Sequence, residues 1–360
     1  MKEFSCKTKI VTGAGSLSCL RAMGIGRLFL VTDPYFYENG TAQQVAALSG
    51  AEAWEIFYKV TPDPALQLAA EGTAVLKAFD PDTVVALGGG STMDCAKAMV
   101  YFGEKPVRMV AVPTTSGSGS EVTDFAILTH EACKHPLVDE RLRPDVAILD
   151  SDLLKELPPK LIGDTGFDVL CHALEAYTAK NATAFTDALA EKAFRVVFSS
   201  LTASFRGDRA VRLQIHEASS MAGLAFTHGG LGLCHGLAHA LGGAFHLPHG
   251  RLNAILLPAV IDCNSIACGE KYAQLASCTG VGAASVTLGV RNLKNGLCRL
   301  RQELGMPKNL REAGVQPRLV WQKMPGLIRD VLADPCCETN PREVDAEVVR
   351  GVLEAVTGGK

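Results

Sequence analysis

Three hundred and sixty residues exceed what one hydrophobic core normally holds, so the chain reads as one large domain or two. Thirty-five basic residues stand against 38 acidic ones, a formal net charge of −3, which excludes the basic footprint of a duplex-binding protein. Hydrophobic residues at 48% exclude wholesale disorder, and no run reaches the roughly 18–20 uninterrupted apolar residues of a membrane span. Arg27 to Asp33 reads as a strand ending in an acid, Trp54 to Val60 as a second strand, and Pro64 to Phe79 as a helix. Thr83 to Leu87 is a buried-type strand running into Gly88-Gly89-Gly90-Ser91, with a helix over Thr92 to Tyr101. Val107 to Val112 is another strand, followed by the hydroxyl-rich run TTSGSGSE at 114–121, and Val146 to Leu149 is the last. This alternation predicts a mostly parallel sheet with helices on both faces. From Asp152 onward strand signals nearly vanish and a 3.6-residue period takes over, as in Asp187 to Ser199 and Glu343 to Thr357. The expected fold is an α/β domain over 1–155 and an all-α domain over 156–360.

The start, Met1 to Ser5, carries an acid and no apolar stretch, so it reads as no signal peptide. Twelve cysteines without a C-x-x-C pair fit small buried hydrophobes in a reducing cytosol. The Cys336-Cys337 pair lies far in sequence from any candidate chemistry.

Gly88 to Ser91 sits between a strand and a helix, where a parallel sheet brings backbone N–H groups up to a phosphate. Glycine there removes the Cβ that would block close approach. It is not the G-x-G-x-x-G fingerprint, and a tight turn with no ligand explains it as well. Two such loops at successive strand ends favour a pyrophosphate over a lone phosphate. Asp33, at the end of the first strand, is placed to accept hydrogen bonds from a ribose diol and repel a 2′-phosphate, or else to cap a helix.

Six of the nine histidines fall within 34 residues: His216, His228, His235, His239, His246 and His249. His216 and His228 read as ordinary core or surface residues. His235 and His239, spaced i, i+4, share one helix face. An unbroken helix would carry His249 about 21 Å from His235, whereas two imidazoles on one metal have bonds of about 2.1 Å. The helix must therefore fold back, and Gly242-Gly243 and Pro248 supply breakers. Asp168 and His172 form a second i, i+4 pair on a predicted helix. One Asp and three His make a cage for a divalent transition metal, leaving His239 beside it to move protons. Between Leu213 and Gly250 there is no Lys or Arg, so this segment offers nothing to hold a multiply anionic substrate.

GGGSTMDCAKA at 88–98, PTTSGSGSEVT at 113–123, GFDVLCHALEAY at 166–177 and HGLAHALGGAFHLPHG at 235–250 resemble the iron-containing (group III) alcohol dehydrogenases, in order through nearly the whole chain. The resemblance implies an N-terminal dinucleotide-binding α/β domain and a helical C-terminal domain, an architecture shared with dehydroquinate synthase. It implies that Asp168, His172, His235 and His249 hold the metal and that His239 relays the proton. NAD contacts would come from Asp33, Gly89, Gly90, Ser91, Asp94, Thr114, Thr115, Ser118 and Lys134, with Phe226 lining the substrate pocket. Iron is the metal implied, although an Asp–His₃ set also accepts Zn²⁺. The short link from Tyr101 to Val107, with TDALAEKAF at 186–194, looks most like the 1-propanol dehydrogenase branch of propanediol- and ethanolamine-utilising bacteria. That branch implies short-chain aldehyde and alcohol substrates, a homodimer or larger homo-oligomer, and a cytoplasmic place alongside or inside a bacterial microcompartment with its shell and cargo proteins. Asp63, Ala240 and Cys171 depart from residues common in the family. Two rival readings are an NAD- and metal-dependent cyclase or lyase of the dehydroquinate synthase type, and a non-catalytic compartment protein. Neither a nucleic acid nor a membrane is an expected partner.

Overall fold

Aliphatic and β-branched runs in the first part of the chain form six strands of one sheet. They are β1 (Lys9–Thr12), β2 (Arg27–Thr32), β3 (Ala53–Phe57), β4 (Thr83–Gly88), β5 (Arg108–Pro113) and, after the hairpin β6 (Phe125–His130) and β7 (Cys133–Val138), β8 (Val146–Leu149). This computed structural model describes residues 2–131 and 133–359, with all their side chains except those of Cys133 and Lys134. The sheet order is β1-β8-β5-β4-β2-β3 and every pairing in it is parallel. Helices α1 (Pro34–Glu38), α2 (Thr41–Ser49), α3 (Leu66–Phe79) and α4 (Gly90–Gly103) connect the strands.

The strands are apolar on both faces because both faces are covered. Phe29, Val31, Val84, Ala86, Met109 and Ala111 pack with Leu76, Met93 and Met99 of α3 and α4. The alternate residues Leu28, Leu30, Val85, Leu87, Val110 and Val112 pack with Ala42, Val45 and Ala46 of α2. Strand β2 is followed outward by β3, and the chain then returns across it to β4 and β5. The order therefore reverses between β2 and β4, and ligands of open α/β sheets bind beyond the strand ends at such a reversal. Asp33 directly follows β2, and Gly89 directly follows β4.

Several sequence expectations are corrected. The second strand stops at Phe57, and Tyr58 beyond it stacks on Tyr37 at 3.8 Å. Helix α3 begins at Leu66 because Ala65 is extended, while α4 begins at Gly90, two residues earlier than expected. Strands β1, β6 and β7 were not expected. At four to six residues each, they depend on partners: β1 pairs with β8, 137 positions on, as in Lys9 with Val146.

The chain divides into two compact units, Ser5–Leu157 and a second from Pro158 onward that is joined by Phe4. Among its described residues the second unit is helical: α5 (Pro159–Thr178), α6 (Ala184–Phe205), α7 (Arg212–Gly229), α8 (Leu233–Phe245), α9 (His249–Cys278), α10 (Val286–Glu303), α11 (Pro317–Leu332) and α12 (Ala346–Thr357). Helix α5 is its axis, with every residue from Gly166 to Thr178 buried. Gly166 allows that depth, since a Cβ there would lie 2.3 Å from Leu201 of α6.

Helix α9 is long and apolar enough to cross a membrane by length and composition, but 56% of that window is buried, as in the core helix of a globular unit. Pro258 within it cannot donate to the carbonyl four residues earlier. That carbonyl, on Ala254, instead accepts from Arg301 Nη1 at 3.1 Å.

Candidate active site

Three histidines from three helices point at one carboxylate. Asp168 and His172 lie one turn apart on α5, His235 is on the first turn of α8, and His249 is the first residue of α9. From Asp168 Oδ1, the Nε2 atoms of His172 and His235 are each 3.8 Å away and that of His249 is 3.5 Å. These distances are too long for hydrogen bonds. They match the edge of a tetrahedron with bonds of about 2.1 Å, which is roughly 3.4 Å. His235 Nε2 is buried with no hydrogen-bond partner. The ligand atoms of Asp168, His235 and His249 all lie within 4.8 Å of one another. His172 does not join that tighter group, although its Nε2 is 3.8 Å from Asp168 Oδ1; an Asp with these imidazoles is a donor set that suits a divalent transition metal.

The reversal that delivers His249 differs from the expected one. Gly242 and Gly243 remain helical, and α8 ends instead at His246, which adopts a left-handed φ of 55° and donates its N–H to Gly242 O at 2.9 Å. Leu247 and Pro248 complete the turn. A glycine pair only weakens a helix, and here the apolar face of α8 is packed well enough to carry it. Gly250 then lets α9 lie directly on α5, because a Cβ there would sit 1.8 Å from Asp164 O. Arg251 grips Asp164 with Nε at 3.1 Å and Nη2 at 2.5 Å, and Asn253 Nδ2 donates to Asp168 Oδ1 at 2.8 Å.

Charge in the cluster follows from this crowding. Burial alone would raise the Asp168 carboxyl, but His172, His249 and His235 hold it well below the usual carboxylate range. Burial opposes the charge on His235, yet the carboxylates of Asp168 and Glu175 push it up to about 10. His249 is driven well below its ordinary value by burial and by the neighbouring histidines.

Histidine spacing alone did not reveal several partners of these groups. Glu175 Oε2 lies 2.6 Å from His235 Nδ1. It is seven residues after Asp168 on α5, so it lies on the same helix face, and that spacing was the available signal. Asp334 Oδ2 lies 2.8 Å from His239 Nδ1, while its Oδ1 accepts from Cys336 N at 2.9 Å. The Cys336-Cys337 segment, remote in sequence, is thus brought to the site. The His239 ring lies 5.3 Å from that of His249. Phe226, on α7, stacks on His172 with ring centroids 4.6 Å apart.

The proposed cofactor residues gather in the first unit. Gly89, extended, is the N-cap of α4 with no side-chain capping bond. A Cβ on Gly89 would lie 3.3 Å from Thr115 Oγ1, and one on Gly90 would lie 3.1 Å from Ser118. The two loops therefore run side by side with a gap that side chains would fill, as a pyrophosphate cradle requires. Ser91 lies in the first turn of α4, and Thr114 N donates to Gly88 O at 2.9 Å. Asp94 Oδ1 accepts from Ser120 Oγ at 2.9 Å, which ties the second loop to α4. Lys97, fully buried, adds bonds from Nζ to Ser120 Oγ, Thr123 O and Phe125 O at 2.8–2.9 Å. Asp33 caps α1, accepting from Phe36 N at 3.1 Å, and burial pushes its carboxyl up. Lys134 pairs through its backbone with Thr129 in the hairpin, and its side chain lies outside the described residues.

Family models match both parts of the chain: iron-containing alcohol dehydrogenase over residues 7–151, and the C-terminal model of the Fe-containing alcohol dehydrogenase family over residues 162–357. The chain belongs to the iron-containing alcohol dehydrogenase family. Among curated relatives, it is 39% identical to 1-propanol dehydrogenase PduQ of Salmonella typhimurium, over 98% of this chain and 99% of that one. It is 34% identical to the NADPH-dependent butanol dehydrogenase of Clostridium saccharobutylicum, over 100% and 99%. Among solved structures, sulfoacetaldehyde reductase from Bifidobacterium kashiwanohense in complex with NAD⁺ superposes with a TM-score of 0.90, at 25% identity, covering 100% of both chains. As an iron-containing alcohol dehydrogenase, the chain is an enzyme, and the α/β sheet and helical second unit are those of its family. Use of a nicotinamide cofactor and of iron are properties of the family.

Proposed function

We propose that this chain interconverts short-chain aldehydes and primary alcohols with NAD(H), using a divalent metal held by Asp168, His172, His235 and His249. The observation that carries this reading is the convergence of three Nε2 atoms on Asp168 Oδ1 at 3.5–3.8 Å. The metal, when bound, supplies Lewis acidity toward the substrate oxygen, and the nicotinamide supplies or accepts the hydride. Iron is the family's metal, and the same donor set suits Zn²⁺.

The chain's own residues do the rest. Asp334 accepts the Nδ1 proton of His239, which fixes the tautomer and leaves Nε2 to exchange a proton. In aldehyde reduction His239 Nε2 gives a proton to the substrate oxygen; in alcohol oxidation it takes one. Phe226 supplies an apolar wall beside His172. Gly89, Gly90, Ser91, Asp94, Thr114, Thr115, Ser118 and Lys134 are assigned to the cofactor, with Asp33 at the ribose. A carboxylate there favours NAD(H) over NADP(H).

Likeness to the 1-propanol dehydrogenase supports propionaldehyde and 1-propanol as the pair, a homo-oligomeric enzyme, and residence in or beside a bacterial microcompartment. The test is NADH and NADPH oxidation with C2 to C4 aldehydes, on protein purified without oxygen and reloaded with Fe²⁺ or Zn²⁺. Turnover with NADH on propionaldehyde that depends on added metal is the expected result. No oxidation with either metal and either cofactor would overturn the reading.

A further inference from the structure

Helix α8 opens on Gly232, a residue with no side chain to cap it, so its first N–H groups need acceptors from elsewhere. Two side chains distant in sequence provide them. Glu175 Oε2 accepts from Gly232 N at 3.0 Å and Oε1 accepts from Cys234 N at 2.7 Å, while Asn340 Oδ1 accepts from Leu233 N at 3.1 Å. A Cβ at position 232 would lie 2.8 Å from both Glu175 Oε1 and Asn340 Oδ1, so glycine is what admits the acceptors. The same Glu175 Oε2 lies 2.6 Å from His235 Nδ1.

We infer that Glu175 is a positioning residue that couples metal affinity to the formation of the first turn of α8. The inference rests on the reading that Asp168, His172, His235 and His249 hold a metal. A carboxylate accepts and does not donate, so Nδ1 of His235 directs its proton at Glu175, and Nε2 is the nitrogen left for a metal to take. By capping the helix that carries His235, Glu175 also sets where the ring stands. Because the two grips share one carboxylate, a metal on His235 Nε2 tightens the cap, and the cap tightens the metal, by the same factor.

The test uses the full-length metal-free protein, with Zn²⁺ titrated against a chromophoric chelator. Wild type is expected to bind one Zn²⁺ per chain, H249A to lose it, and E175Q to bind it about 10–100-fold more weakly while remaining folded. Wild-type affinity in E175Q would overturn the role of Glu175 and leave the metal reading standing. No Zn²⁺ binding by wild type would overturn the metal reading itself. Should E175Q fail to fold, amide exchange in wild type decides. Slower exchange at Gly232 and Cys234 on adding Zn²⁺ supports the coupling, and unchanged exchange at both refutes it.

Discussion

Replacing Gly250 with alanine tests whether the close approach of α9 to α5 is what places His249. The added Cβ would stand 1.8 Å from Asp164 O and 2.6 Å from its carbonyl carbon, both backbone atoms of a buried helix. Reaching an ordinary contact of 3.4 Å requires the start of α9 to retreat by roughly 1.6 Å. His249 is the preceding residue and moves with it, opening its 3.5 Å approach to Asp168 Oδ1. Metal–ligand distances tolerate about 0.2 Å, so a shift several times larger removes His249 from the set. The expected outcome is a loss of Zn²⁺ affinity of at least about tenfold in chelator competition, no smaller than the loss from removing a group that only orients a ligand. Overpacking of this kind also costs about 1–3 kcal/mol, seen as a lower melting temperature of the metal-free protein. G250A with wild-type Zn²⁺ affinity would refute the argument, since it would mean that the α5–α9 contact does not set the position of His249.

Substituting His239 by Gln is expected to lower kcat by about 10²–10⁴-fold while metal stays at one ion per chain, and D334N to act in the same direction; an H239Q protein purified and reloaded without metal would make His239 a ligand instead. Arg301→Met removes the donor that replaces the missing N–H of Pro258 and leaves Ala254 O unsatisfied, which should cost about 1–3 kcal/mol in urea unfolding. An unchanged midpoint would show that the carbonyl finds another donor. Burial lowers Lys97 from 10.5 to about 8, against the pull of Asp94, Glu121 and Asp124. Its folded pKa lies below the unfolded one, so the folded chain binds fewer protons between about pH 8 and 10.5, and stability gains with rising pH in that window. Measured at pH 8 and 10, wild type should therefore gain on K97M, by at most about 1.4 kcal/mol per pH unit; a constant difference would place the pKa elsewhere.

Local chemistry made part of this legible without coordinates. Sheet strands buried on both faces need continuous apolar runs, so β2, β4 and β5 stand out within two residues of their ends. Glycine and hydroxyl runs at strand ends marked 88–91 and 114–121 because close backbone approach restricts residue type. The i, i+4 spacings placed Asp168 with His172 and His235 with His239 on single helix faces. Strand β1 and the β6–β7 hairpin carried too little local signal, since a strand of four to six residues is stabilised by its partners rather than by itself. Of the breakers read before His249, Pro248 does lie in the turn as the N-cap of α9, whereas Gly242 and Gly243 stay helical and the left-handed φ falls on His246.

The pairings that tune the site are made by tertiary structure. Glu175 meets His235 across 60 residues, Asn253 meets Asp168 across 85, and Asp334 meets His239 across 95. Residue type and periodicity are properties of neighbours along the chain, so they determined which side chains could serve as metal donors and where a phosphate loop could form. Which acceptor orients which imidazole, and whether three Nε2 atoms reach one oxygen, depends on how α5, α8 and α9 pack, and no local pattern encodes that distance.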